Sequence, residues 1–95
     1  YGLRKLQEND PATTVLDIRD PADWANGHVP GAVNIPIDEL IQRLEEAPSR
    51  DTPIVIACDQ GLRANGAARI LKDSGWRKLY TLIDGMEAYK GPLEP

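Results

Sequence analysis

A four-residue apolar run, Ile54-Val55-Ile56-Ala57, ends on the chain's only cysteine, Cys58, and a helical pattern begins at Ala64. An unbroken apolar run of this length reads as a strand buried on both faces, as in a parallel sheet. It feeds the helix through a short loop, Cys58-Asp59-Gln60-Gly61-Leu62-Arg63. That loop therefore lies at the carboxyl end of a parallel strand, where open α/β sheets bind their ligands. A loop wrapping into a helix N-terminus aims backbone N–H groups inward, and the helix dipole adds positive potential. A thiol placed there is expected to ionise readily. Gly61 permits a tight wrap and the close approach of an anion. Arg63 brings a positive charge to the helix start, where the dipole disfavours it unless an anion is present. The segment reads as a nucleophilic thiolate, Cys58, in an anion-binding cradle formed by Asp59 through Arg63. A lone cysteine is more often a small buried hydrophobe; the loop around this one is what favours chemistry.

The rest of the chain alternates in the same sense. Leu3–Gln7 reads as a short opening helix closed by Asn9-Asp10-Pro11, and Thr14–Ile18 as the first strand. Asp20-Pro21-Ala22-Asp23 is a helix start with Asp20 as N-cap, and that helix ends near Asn26-Gly27. His28–Gly31 is a turn and Ala32–Ile35 a short strand. A helix is expected over Glu39–Glu46, capped by Asp38, with its acids on a solvated face. Ala64, Ala67, Ala68 and Leu71 keep helical spacing, and Gly75 supplies the stop. Gly66 lowers helix propensity, so close packing is its expected reason. Leu79–Ile83 reads as a further strand and Met86–Lys90 as a final helix. Strands alternating with helices predict an α/β parallel sheet with helices on both faces.

Bulk properties exclude several classes. Ninety-five residues predict one domain. Because the chain opens on Tyr1 and its only methionine is Met86, a domain excised from a longer protein is expected. A net charge of −4 does not favour nucleic acid or an anionic membrane as partner. No apolar run approaches the ~20 residues of a membrane-spanning helix. One cysteine forms no internal disulfide, which favours a reducing, cytoplasmic setting. Neither His28 nor Cys58 has companions at metal-ligand spacing, so no metal and no cofactor are expected. Trp24 and Trp76 are read as core or loop anchors.

Leu16-Asp17-Ile18-Arg19, Gly27-His28-Val29-Pro30-Gly31-Ala32, Asn34-Ile35-Pro36, the Cys58–Arg63 loop and Leu82-Ile83-Asp84-Gly85-Met86 resemble, in order, the successive motifs of the rhodanese-homology domain. The resemblance covers nearly the whole chain. It implies a rhodanese-like fold around a five-stranded parallel sheet, and sulfurtransferase activity through a cysteine persulfide. Gly61-Leu62-Arg63 followed by Ala67-Ala68-Arg69-Ile70-Leu71 resembles most the rhodanese domains fused to flavin-dependent coenzyme A-disulfide or polysulfide reductases. Such a reductase is accordingly an expected fused or separate partner, alongside small sulfur donors and thiol acceptors. In the family pattern, Asp17 and Arg19 brace the active-site face; a surface salt bridge or turn cap is the competing reading. His28 is expected to fix loop geometry rather than to act as a base, since a pre-ionised thiolate needs none.

Three departures from the pattern bear on mechanism. Asp59 stands where thiosulfate-using members often carry a basic residue, and an acid beside a thiolate repels anionic donors. This shifts the expectation toward a persulfide or polysulfide donor. Asp84-Gly85 replaces paired glycines and Tyr89 replaces a tryptophan; both read as packing changes. Two other classes compete with the sulfurtransferase. Cysteine phosphatases place their arginine six positions after the nucleophile, which here is Ala64, so the shorter loop argues against a phosphatase or arsenate reductase. A non-catalytic docking or regulatory module is opposed by the intact cysteine loop.

Overall fold

The computed structural model describes residues 3–58 and 63–81. Its elements run α1 (Leu3–Asn9), β1 (Thr14–Asp17), α2 (Pro21–Ala25), β2 (Val33–Asn34), β3 (Ile54–Ala57), α3 (Ala64–Asp73) and β4 (Leu79–Thr81). The four strands form one sheet in the order β2-β1-β3-β4, and every pairing is parallel. The resemblance implies five strands; the described residues supply four. The continuations of the expected last strand (residues 82 and 83) and the expected helix Met86–Lys90 lie outside them.

β3 forms where the apolar run predicts it, because all four of its side chains are buried. Alternation along the strands sorts the core into two layers. Val15, Val55 and Ala57 pack with Leu6 of α1 and with Val29 on one face. Leu16, Ile54 and Ile56 pack with Ala64, Ala67 and Leu71 of α3 on the other. Helices thus cover both faces, as expected. Trp76 anchors the second layer: it is buried, its Nε1 donates to the Pro48 carbonyl at 2.8 Å, and the Arg50 guanidinium lies 4.3 Å above its ring. Among the described residues no helix is long and apolar enough to cross a membrane.

Three expectations need correction or qualification. The α-helix expected over Glu39–Glu46 is absent: two 3₁₀ turns, Ile37–Glu39 and Leu44–Glu46, stand there, and Asp38 lies inside the first rather than capping it. Ile37, Leu40, Leu44 and Ala47 all reach the core, and their spacing misled because tight turns place them inward as well as a helix does. The chain breaks helical geometry at Arg43 (φ −118°, ψ 25°), and a segment this short cannot hold a helix by propensity alone. Its acids do face solvent. Arg43 donates to Glu46 at 2.8 Å and to Glu39 at 3.1 Å, and that hydrogen bond holds the Glu46 carboxyl below its usual range. Second, Asp20 is the N-cap of α2 and Pro21 opens the helix, both as expected, but the cap makes no side-chain bond; the Asp20 carbonyl accepts the Trp24 N–H at 3.1 Å. Third, Gly66 is not forced by packing. A Cβ there meets only Ile37 Cδ1 at 3.8 Å, an ordinary contact.

This last geometry makes a prediction. Gly66→Ala is expected to stabilise the fold by about 0.5–1 kcal/mol, through restricted unfolded-state freedom and better helix propensity. Thermal melting checks it, since each kcal/mol moves Tm by ~4–8 °C in a domain this size. An unchanged or lower Tm means that the position is packed more tightly than the structure has it. Gly75 differs: its φ of +110° ends α3 in a conformation that L side chains rarely adopt.

Candidate active site

The strand order defines where a site belongs. From β1 the chain crosses to β2 on one side and returns to β3 on the other, so the topological switch point lies between β1 and β3. In open parallel sheets, ligands bind outside the carboxyl ends of the strands at such a point. β1 ends there on Asp17 and β3 on Ala57, in register with each other. The Ile18 N–H donates to the Ala57 carbonyl at 2.9 Å and carries the pairing one step further. Cys58 is the next residue.

Cys58 is a free thiol, 4% exposed, packed in the α3-side layer with Ile18, Ile56 and Ala64. Arg63 takes the N-cap position of α3 and is exposed. Its carbonyl accepts the Ala67 N–H at 3.1 Å. The structure therefore sets the cysteine at a strand end and the arginine at the following helix start. Asp59, Gln60, Gly61 and Leu62, expected to form the cradle, lie outside the described residues.

Asp17 and Arg19 are brought together in a buried pair rather than a surface bridge, and Asp17 also caps the turn that Arg19 enters. Alternation puts Asp17 on the opposite sheet face from Cys58, so it does not reach the thiol through the sheet. Asp17 is fully buried and the Arg19 side chain only 9% exposed. The guanidinium makes a bidentate pair, Nη2 to Oδ2 at 2.8 Å and Nε to Oδ1 at 3.0 Å. The Arg19 backbone N–H also donates to Oδ1 at 3.0 Å. The same Nη2 donates to the Gly27 carbonyl at 2.8 Å, tying the His28 loop to the end of β1. His28 is buried, its Nδ1 lies 3.0 Å from the Trp24 carbonyl, and its ring stacks on Trp24 at 3.5 Å between centroids. These contacts fit a loop-fixing residue.

One bracing residue carries no individual role in the sequence reading. Asn34 Nδ2 donates to the carbonyls of both Asp17 and Arg19, at 3.0 Å each. The available signal is an amide residue closing a strand beside a turn that leaves carbonyls in need of donors. Among the described residues, no buried side-chain nitrogen or oxygen lacks a hydrogen-bond partner. Nor does any group of three His, Cys, Asp or Glu among them suit a metal ion.

Comparison with known proteins fits this geometry. The chain is 33% identical over 93 residues to the Putative sulfur carrier protein YrkF of Bacillus subtilis, covering 98% of this chain and 50% of that one. It thus spans half the length of that relative. It is 31% identical over 80 residues to Thiosulfate sulfurtransferase GlpE of Tolumonas auensis, covering 84% and 74% of the two chains. A rhodanese-related protein from Thermoplasma volcanium superposes with a TM-score of 0.79 at 30% identity, over 96% of this chain and 92% of that one. Reduced CoADR-RHD of Bacillus anthracis gives 0.76 at 36% identity, over 90% of this chain and 14% of that one. The NAD-dependent persulfide reductase of A. fulgidus gives 0.71 at 37% identity, over 90% and 15%. The family model for the Rhodanese-like domain matches residues 2–92. With a parallel sheet whose strand order reverses beside a lone cysteine, and this match over nearly its whole length, the chain belongs to the Rhodanese-like domain family.

Proposed function

We propose that this chain is a sulfurtransferase, a single domain of a longer protein, that carries sulfane sulfur as a persulfide on Cys58. The observation that supports it most is the position of Cys58: the residue after the central strand β3, at the switch point, immediately before the loop leading into α3. In the first step the Cys58 thiolate attacks the outer sulfur of a persulfide, polysulfide or thiosulfate. A sulfur–sulfur bond forms on Sγ, the donor's sulfur–sulfur bond breaks, and its electron pair leaves on a thiolate, a shortened polysulfide or sulfite. In the second step an acceptor nucleophile, a thiolate or cyanide, takes the outer sulfur and Cys58 departs as thiolate. No net oxidation occurs and no cofactor is required. Backbone N–H groups of Asp59 through Arg63 stabilise the thiolate and then the persulfide anion; Asp17, Arg19 and His28 hold the surrounding loops. Two-step covalent transfer of this kind predicts ping-pong kinetics.

Since the chain holds one cysteine, no internal thiol can discharge the persulfide, and an outside acceptor must. The likeness to one part of CoADR-RHD and of an NAD-dependent persulfide reductase supports a disulfide or persulfide reductase, fused or separate and of the flavin-dependent kind the sequence motifs resemble, as a partner; the single cysteine suits a reducing, cytoplasmic setting. The donor is tested by intact mass after incubation with thiosulfate and, separately, with glutathione persulfide. One added sulfur atom is expected, with the persulfide loading faster because thiosulfate carries both of its charges on the small reacting group that Asp59 repels, whereas glutathione's carboxylates are remote from its sulfur. Equal loading by both donors removes the selective role of Asp59. No loading by either, in folded protein, overturns the sulfurtransferase reading in favour of a docking module.

A further inference from the structure

The net charge of −4 conceals a strong asymmetry. Residues 63–78 carry Arg63, Arg69, Lys72, Arg77 and Lys78 against the single acid Asp73, a local charge of +4 that leaves −8 for the remainder. The fold gathers part of this charge around one groove. Along the outer flank of α3, Asn65, Ala68, Arg69 and Lys72 follow helical spacing and line an open groove of about 770 Å³, which Arg77 and Leu79 continue toward β4. Arg69, Lys72 and Arg77 are exposed. Among the described residues none of the three makes an ion pair. Other arginines are engaged: Arg19 with Asp17, Arg43 with Glu39 and Glu46, and Arg50 with Trp76 and the Ser74 carbonyl.

We infer that this groove docks an acidic protein surface, and that such a surface belongs to the partner exchanging sulfur with Cys58. The second half of that statement rests on the sulfurtransferase reading; the docking itself does not. The chemistry favours a protein over a small anion. A site for one phosphate converges several donors on a point, whereas Arg69 and Lys72 stand about one turn apart on α3, ~4.5 Å along its axis, and Arg77 lies beyond the helix end in the loop before β4. All three are exposed, and partly buried Ala68 and Leu79 line the same groove. An apolar strip within a charged rim is the ordinary anatomy of a protein interface. Cations of this kind accelerate encounter more than they tighten the complex, which suits a carrier that must release its partner after each transfer. The groove also begins at Asn65, two residues past Arg63, so a docked partner lies along the helix whose start adjoins Cys58.

The test measures binding of a fluorescein-labelled peptide of alternating glutamate and glycine by anisotropy, using the 95-residue chain. Wild type is expected to bind more tightly as salt is lowered from 0.15 M to 0.01 M, where screening relaxes from ~8 to ~30 Å. Combining Arg69→Glu, Lys72→Glu and Arg77→Glu is expected to weaken binding by about tenfold or more, a change on the scale of three modest charge contacts. Lys72→Glu alone is compared with Lys5→Glu, which changes net charge equally from an exposed position on α1, across the sheet. Only the Lys72 variant should weaken binding clearly. Equal effects of the two, or binding of inorganic tripolyphosphate with none of the peptide, overturn the docking surface. Cys58→Ser is expected to bind the peptide as wild type does. Peptide binding by a chain that loads no sulfur would leave the docking surface standing and remove its sulfur-transfer role.

Discussion

Replacing Cys58 by serine is expected to abolish sulfur uptake: after incubation with thiosulfate or glutathione persulfide, the chain keeps its bare mass. Transfer of sulfur to cyanide is expected to fall on the order of 10³-fold or more, to the uncatalysed rate, because a hydroxyl neither attacks sulfane sulfur readily nor carries it. The variant must be shown to fold, since Cys58 is 4% exposed within the core layer formed with α3. Serine there buries a hydroxyl among apolar side chains, costing about 1–3 kcal/mol where it finds no partner. A lowered Tm is therefore expected even with the fold intact. Cys58→Ala removes the sulfur without that hydroxyl and supplies the cleaner comparison. A cooperative melt together with no sulfur uptake in Cys58→Ala assigns the carrier to Cys58. Uptake of one sulfur by either folded variant sinks the mechanism, because the chain has no second cysteine to receive it.

What the sequence discloses depends on whether one physical requirement dominates a segment. β3 must be apolar at every position because both faces of the sheet are covered, so Ile54–Ala57 is legible to the residue. The α3 start at Ala64 and its stop before Gly75 are equally legible, from a buried alanine and leucine stripe and from a positive φ that suits glycine. Residues 37–47 are not, because inward apolar positions three and four apart are satisfied by 3₁₀ turns as well as by an α-helix. The candidate site divides in the same way. Cys58 stands out from its strand-loop-helix context alone. The Asp17–Arg19 pair reads in sequence as a brace, a surface bridge or a turn cap; only burial rules out the surface bridge, and the structure combines the other two. Asn34 reaches the same turn from β2, across sequence distance that no local pattern encodes.

Asp17→Ala is expected to destabilise the chain by about 3–5 kcal/mol, the cost of leaving one partner of a buried ion pair behind. Arg19 is held almost out of solvent by this carboxylate. Without it, the guanidinium loses its bidentate carboxylate partner and the Arg19 backbone N–H loses its acceptor. Against a total stability of ~5–15 kcal/mol for a domain, this is a large fraction, and Tm should fall by well over 10 °C at ~4–8 °C per kcal/mol. Urea unfolding of Asp17→Ala, Arg19→Met and the double variant checks the cause. If the cost lies in breaking this buried pair, the double variant recovers much of the stability lost by Asp17→Ala, since an apolar replacement of a buried pair is often close to neutral. Loss below about 1 kcal/mol in the single variant means that the pair behaves as an exposed salt bridge, contrary to its burial. Sulfur uptake in the double variant then separates the two roles of the pair. Asp17 is on the opposite face from Cys58, so a folded double variant should still load sulfur. Its discharge should slow if Arg19, through Gly27, sets the position of the His28 loop beside the strand ends.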